Sequence, residues 1–121
     1  MYLWFTDSEY KQLLANGKQT QQDSNSNHVP VVKLFTPDAQ CTWLLTDISP
    51  PAEGEEPELA FGLCDLGLGC PEMGYVSLTE LQGLRGNMNL PIEKDIGFEG
   101  KASLLEYAKA AREASCIVED L

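Results

Sequence analysis

Residues 59–84 read LAFGLCDLGLGCPEMGYVSLTELQGL and contain the clearest structural signals in the chain. The first part alternates large apolar with small residues, as in Phe61, Gly62 and Leu63, which is the period of a strand packed on one face. Glycines and Pro71 then end that strand, because glycine permits positive φ and proline donates no ladder hydrogen bond. A second apolar run follows, so the stretch predicts two strands joined by a glycine-rich turn.

A helix is predicted directly after the second strand. Ser77 and Glu80 have the spacing of a capping box, in which a hydroxyl and a carboxylate bind the first helix amides reciprocally. Leu81 falls on the apolar side of this helix. We therefore expect Phe61, Tyr75 and Leu81 to be buried together, since both strands and the helix would share one core.

Two further capping boxes, at residues 6–9 and 103–106, predict helices near the two ends of the chain. The first helix is expected to span about nine residues, because Asn16-Gly17 is a typical helix stop. The polar, low-complexity residues 17–28 that follow predict a mobile surface loop. The second of these helices is expected to reach about Ser115.

Residues 29–36 and 41–48 predict two strands, and the proline turn at 36–39 joins them as a hairpin. Residues 49–58, SPPAEGEEPE, predict an acidic, solvated loop, because three prolines, one glycine and four glutamates disfavour both helix and strand. We expect all four glutamates of this loop to tolerate replacement by glutamine without loss of stability. Residues 92–98 are a candidate last strand with imperfect alternation.

This order of elements predicts one α+β domain over residues 1–121. We expect a small antiparallel sheet of about four to five strands, with the helices packed on one face. A length of 121 residues and 43% hydrophobic content suit a single folded domain with a modest core. The chain lacks a basic n-region and any apolar run of about 20 residues, so no signal peptide or membrane helix is expected. A cytoplasmic protein is the resulting expectation.

Four cysteines lie among apolar neighbours without forming a C-x-x-C pair, and we expect buried free thiols in a reducing compartment. They are Cys41, Cys64, Cys70 and Cys116. A zinc site is the alternative. It would require Cys64, Cys70 and His28 to converge, and the five-residue gap between the two cysteines does not fit a zinc knuckle.

The charge distribution is the most informative bulk property. Nineteen acidic residues against eight basic ones give a net charge of −11, which excludes a generic binder of nucleic acid or anionic membrane, because like charges repel. No lysine or arginine lies between Lys33 and Arg85, whereas that interval contains Asp38, Asp47, Glu53, Glu55, Glu56, Glu58, Asp65, Glu72 and Glu80. The interval is either an ordinary solvated surface or a surface that meets a basic partner.

Three other patterns in the sequence contain residue types that occur in chemical sites. A phosphate-binding loop requires a helix directly after its glycines. The glycines of residues 67–74 are followed by a predicted strand instead. A pattern of Asp38, Glu99 and Lys101 resembles a nuclease signature, but a turn glycine separates its last two members. Four carboxylates could together bind a divalent metal: Asp65, Glu72, Glu93 and Asp95. We identify no catalytic residue and no cofactor.

Three segments, VPVVKLFTPDAQCTWLLT, LAFGLCDLGLGCPEMGYVSLTELQGLRG and LPIEKDIGF, together resemble the domain-of-unknown-function 2958 family. The resemblance covers about residues 29–99. Members of that family are small proteins or modules associated with bacterial plasmids, conjugative elements and phages. The resemblance implies an accessory role in a mobile element and no established activity.

Charge and resemblance together lead to a functional hypothesis. We expect an acidic binding protein that inhibits a basic, nucleic-acid-handling host protein of the restriction or CRISPR type by nucleic-acid mimicry. It would contact neither nucleic acid nor membrane directly. The expected partner-binding residues are Glu53, Glu55, Glu56, Glu58, Asp65 and Glu72. Two alternatives stay open: a non-inhibitory accessory module for plasmid transfer or replication assemblies, and a metal-dependent enzyme that uses an Asp/Glu cluster.

Overall fold

The structure is a computed structural model that describes residues 2–121. Its elements are, in chain order, α1 (Asp7–Gln22), β1 (Val32–Phe35), β2 (Thr42–Ile48), β3 (Leu59–Asp65), β4 (Glu72–Ser77), α2 (Leu78–Gly83), β5 (Glu93–Lys94) and α3 (Leu104–Ala114). The strands form one five-stranded antiparallel sheet in the order β4-β3-β2-β1-β5. The predicted α+β class and the antiparallel sheet are therefore confirmed.

The helices cover both faces of the sheet, so the prediction of a single covered face is wrong. On one face Leu45 packs in a core with Leu13 of α1 and with α2. On the other face Leu44, which pairs with Leu63, packs against Tyr107 of α3. The physical reason is that adjacent large apolar residues in β2 point to opposite faces, and both faces must then be shielded from water.

The central stretch forms the predicted strand, turn, strand and helix. In the β3–β4 hairpin Phe61 pairs with Tyr75, and their rings meet edge to face with centroids 4.9 Å apart. Tyr75 nevertheless remains 59% exposed, and Leu81 is buried in the core on the opposite face, 6% exposed. The expectation that these three residues are buried together is thus wrong, because α2 and the Phe61–Tyr75 pair lie on different sides of the sheet.

Helix α1 is longer than predicted and passes through Asn16-Gly17 without a break. Asn16 Nδ2 donates to the Thr46 carbonyl at 2.8 Å, and a Cβ at residue 17 would overlap the Ile48 carbonyl oxygen. Both residues are buried against β2. The asparagine and glycine therefore allow helix and strand to approach closely. Residues 17–22 are helical, so the predicted loop is confined to residues 23–28.

The remaining elements largely follow the prediction. β1 and β2 form the expected hairpin, with the Thr36 amide donating to the Cys41 carbonyl at 3.0 Å. The loop 49–58 contains no helix or strand, and α3 ends one residue before Ser115. The last strand is shorter than expected: β5 comprises two residues at the edge beside β1.

Candidate functional site

The acidic loop, residues 49–58, is attached to the domain at its C-terminal end. The Tyr2 hydroxyl donates to the buried Pro57 carbonyl at 3.0 Å, and the Leu78 amide donates to the Glu58 carbonyl at 2.8 Å. These bonds join the loop to the N-terminal segment and to the start of α2. The loop therefore presents its glutamates from a backbone held in position by distant parts of the chain.

The four glutamates of this loop are all exposed, but they do not have equivalent surroundings. Within residues 2–121, no lysine or arginine pairs with the carboxylate of Glu53 or Glu55. The Glu58 carboxylate accepts hydrogen bonds from the hydroxyls of Ser77 and of Thr79, the latter at 2.6 Å. These bonds lower the pKa of Glu58 below its ordinary value. Glu58 is thus part of the fold as well as of the acidic surface.

Asp65 does not belong to the acidic surface, contrary to the prediction. It is only 5% exposed, and its carboxylate accepts the amide of Gly67 at 2.9 Å and the amide of Ile117 at 3.0 Å. The glycine-rich turn and the segment after α3 supply these donors. A carboxylate used in this way anchors two backbone segments and is not available to a protein partner.

Glu72 is exposed but lies apart from the acidic loop. It pairs with Cys64 near the far end of β3, whereas Glu58 directly precedes the first residue of that strand. Seven strand residues span roughly 20 Å at about 3.3 Å per residue. That separation exceeds the Debye length of about 8 Å in physiological salt. The six predicted partner-binding residues therefore do not form one surface, and only the loop glutamates remain together.

The four carboxylates proposed for a metal also lie apart. Asp65 and Glu72 belong to β3 and β4, whereas Glu93 and Asp95 lie at the opposite edge, where Asp95 is 3.4 Å from Lys33. In the described part of the chain, no three histidine, cysteine or acidic side chains are grouped so as to hold a metal ion. The metal-dependent enzyme therefore has no site among the residues named for it.

The cysteines are free, and all four are less buried than expected. Cys41 and Cys64 are partly buried, whereas Cys70 and Cys116 are exposed on loops. Burial raises the pKa of the Cys64 thiol to about 11. Cys64 is therefore a poor nucleophile near neutral pH, because the thiolate is the reactive form.

A β-bulge in β2 creates a second candidate site that the sequence analysis did not identify. The register pairs Leu45 with Gly62 and then Asp47 with Phe61, so Thr46 is an extra residue on β2. Strict alternation would turn Asp47 toward the core that contains Leu45. The bulge instead brings Asp47 beside Phe61, on the α3 face. The signal in the sequence is the polar Thr-Asp pair inside an apolar strand.

The bulge lines a cavity of about 380 Å³ on this face. The polar part of its wall includes Asn25, Asn27 and His28, and the apolar part includes Phe61, Met73, Tyr75, Leu104 and Leu105. The segment 23–28 is bound to α3, since the His28 carbonyl accepts the Leu104 amide at 2.8 Å and Asn27 Oδ1 accepts the Leu105 amide at 3.2 Å. Five separate segments of the chain thus meet around one cavity.

Asp47 is the acidic residue of this cavity and is 4% exposed. Thr46 Oγ1 donates to Asp47 Oδ1 at 2.6 Å, and within residues 2–121 the carboxylate accepts no other hydrogen bond. No lysine or arginine lines the cavity. A buried carboxylate with a single hydroxyl donor is costly, so a positively charged group in the cavity would be stabilised.

Comparison with known proteins yields one match. A family model described as a protein of unknown function (DUF2958) matches residues 4–118, which is nearly the whole chain. No curated protein and no solved structure matches. Of the helices in residues 2–121, none combines the length and apolar character needed to cross a membrane.

Proposed function

The chain belongs to the DUF2958 family of proteins of unknown function, and we propose that it is an acidic binding protein that docks on a basic surface of a nucleic-acid-handling protein. The observation that carries this proposal is the acidic loop, which holds four exposed glutamates on an attached backbone. An acidic surface that is already positioned loses little conformational entropy on binding and attracts a basic partner over a distance.

The proposed mode of action is occupation of a nucleic-acid channel. Carboxylates of Glu53 and Glu55 would take positions that phosphates take in the partner's channel, and the net charge of −11 would speed the encounter. Such a protein would serve a plasmid or phage by inhibiting a restriction or CRISPR protein of the host. The second candidate, an accessory module for transfer or replication assemblies, would use the same charge without blocking nucleic acid.

The test begins with capture of the partner from a bacterial lysate on the immobilised protein, followed by identification and purification of what binds. Association is then measured at about 50 mM and about 300 mM salt, where the Debye length differs by more than twofold. The double variant Glu53→Gln, Glu55→Gln should associate about three- to tenfold more slowly than the parent, and with a flatter salt dependence. Duplex DNA is also added to the complex, so that it competes with this protein for the purified partner.

The matched control is the double variant Glu72→Gln, Glu93→Gln, which removes the same charge outside the loop and should slow association less than the loop variant does. Displacement of the protein by DNA is expected for a nucleic-acid mimic. Simultaneous binding of DNA and protein would favour the accessory module. An association rate that changes neither with salt nor in the loop variant would refute the electrostatic mechanism.

A further inference from the structure

We propose that the cavity beside the β2 bulge is a binding site for an organic cation, that is, a guanidinium or primary ammonium group carried on an apolar body. This site lies on the α3 face and is separate from the carboxylates of the acidic loop. It does not depend on the function proposed above. Three observations support it: the direction of Asp47, the missing counter-charge and the apolar wall.

The first observation is that the bulge directs a carboxylate to the cavity. An extra residue interrupts the ladder hydrogen bonds, and bulges commonly re-aim a side chain next to a site. Here the bulge at Thr46 places Asp47 on the face of the sheet that carries the cavity. The Thr46 hydroxyl donates to Asp47 Oδ1 at 2.6 Å and so orients the carboxylate. In the described chain Asp47 Oδ2 accepts no hydrogen bond. One carboxylate oxygen therefore remains for a ligand.

The second observation is the missing counter-charge. Asp47 is buried, with only 4% of its surface exposed, yet no lysine or arginine lines the cavity. Buried carboxylates are ordinarily paired with a cation or with several hydrogen-bond donors. Among the lining residues the basic side chain is His28, whose Nε2 lies 3.1 Å from the Thr20 hydroxyl, and no hydrogen bond or ion pair joins it to Asp47 in residues 2–121. A ligand that brings a positive charge to Asp47 would therefore be stabilised. A guanidinium or ammonium group supplies both the charge and the N–H donors.

The third observation is the apolar wall beside the carboxylate. The rings of Phe61 and Tyr75 meet at 4.9 Å, and Met73 and Leu105 line the same cavity with more than a third of their surfaces exposed. Aromatic faces attract cations, and apolar side chains stabilise the hydrocarbon part of a ligand. A volume of about 380 Å³ is at the lower end of the range for small-ligand sites, which is about 300–1,000 Å³.

The cationic group could be carried by a free small molecule or by an arginine side chain of another protein. Three probes separate these sources: benzamidine and agmatine as free cations, and N-acetyl-arginine methylamide as an arginine within a peptide backbone. Benzamide, which has nearly the shape of benzamidine but no charge, is the neutral control. Each probe is titrated into the full chain and followed by amide NMR and by calorimetry.

We expect at least one cationic probe to bind with a Kd in the range of about 1 mM or lower. Amide shifts should centre on Thr46, Asp47 and Phe61, and benzamide should bind at least about tenfold more weakly than benzamidine. Preferential binding of the free cations would identify a small-molecule site. Preferential binding of the peptide arginine would identify a pocket for a protein side chain.

The decisive variant is Asp47→Asn, which keeps an oxygen for the Thr46 hydroxyl but removes the charge. It should weaken cation binding at least about tenfold. Glu53→Gln removes the same charge from the exposed loop and should change the Kd by less than about twofold, because an exposed charge is screened. The proposal is overturned if no cationic probe binds with a Kd of about 1 mM or lower, if benzamide binds as well as benzamidine, or if the shifts lie only in the acidic loop. The comparison of benzamidine with benzamide tests the proposal on the parent protein, even where the Asp47→Asn variant does not fold.

Discussion

Gly17 shows how one residue can be necessary for reasons outside its own helix. It lies inside α1, where glycine ordinarily costs about 1 kcal/mol relative to alanine. A Cβ at this position would overlap the Ile48 carbonyl oxygen and come within 2.8 Å of the carbonyl carbon. These are backbone atoms of β2 and cannot rotate away. Gly17 therefore sets the distance between α1 and the sheet.

Gly17→Ala should destabilise the protein by up to about 2 kcal/mol, because the overpacking cost of about 1–3 kcal/mol exceeds the gain in helix propensity of about 1 kcal/mol. Urea unfolding measures the difference. Gly83→Ala is the matched control, since a Cβ there would meet no atom within 4 Å. It should be neutral or stabilise by up to about 1 kcal/mol. If both variants were more stable than the parent, the close approach of α1 and β2 would not restrict residue 17.

At the scale of elements, the N-terminus of α2 depends on the acidic loop. Ser77 Oγ accepts the Glu80 amide at 3.2 Å, which is the hydroxyl half of the predicted capping box. The carboxylate that binds the Ser77 hydroxyl is that of Glu58, which also accepts from Thr79 at 2.6 Å. These hydrogen bonds argue against the expectation that Glu58 tolerates replacement as well as the other three loop glutamates do.

Glu58→Ala should lower the melting temperature, because it leaves the Ser77 and Thr79 hydroxyls without this acceptor and loosens the contact between loop and α2. Glu53→Ala, in the same loop, should melt like the parent, since its carboxylate pairs with no lysine or arginine in residues 2–121. Thermal unfolding followed by circular dichroism compares the two. Equal melting temperatures for both variants would show that Glu58 does not stabilise α2.

At the scale of the whole molecule, ion pairs join segments that are far apart in the chain. Lys94 of β5 binds Glu9 of α1 at 2.8 Å. Lys33 of β1 binds Glu119 at 2.6 Å, beyond the end of α3. Both pairs lie at the β1–β5 side of the sheet, away from the acidic loop. The few basic residues are thus used partly to hold the ends of the chain to one edge of the sheet.

The Glu9 pair predicts a specific response to acid. Partial burial alone would raise the pKa of Glu9, but hydrogen bonds from Lys94 and from the Thr6 amide, together with the Lys94 charge, lower it below the ordinary value of 4.5. Its contribution to stability is therefore complete above that value and is lost as pH falls through the lower pKa of the folded state. Glu9→Gln should consequently lose less stability than the parent between about pH 5 and about pH 3.

Urea unfolding at several pH values measures this loss. Glu113→Gln, which changes an exposed carboxyl group of α3, is the control and should follow the parent. If Glu9→Gln lost as much stability as the parent on acidification, the Lys94–Glu9 pair would not contribute to folding.

Features encoded within a few neighbouring residues were readable from the sequence. The Thr6 capping box, the proline turn of the β1–β2 hairpin and the glycine-rich turn after β3 each depend on short-range hydrogen bonds or on a permitted φ. The α+β class follows from the order of such elements. The acidic loop was likewise predictable, because its prolines and adjacent charges disfavour regular structure in any surroundings.

The surroundings of Gly17, Asp47 and Asp65 depend on contacts between distant segments. Asn16 and Thr46 are 30 residues apart, and Asp65 and Ile117 are 52 residues apart. A glycine in a helix can mark either an end or a close approach, and the partner strand determines which. An aspartate can be solvated or buried, and the donors that surround it decide. The bulge at Thr46 depends on the register between β2 and β3, which two strands establish only when they pair.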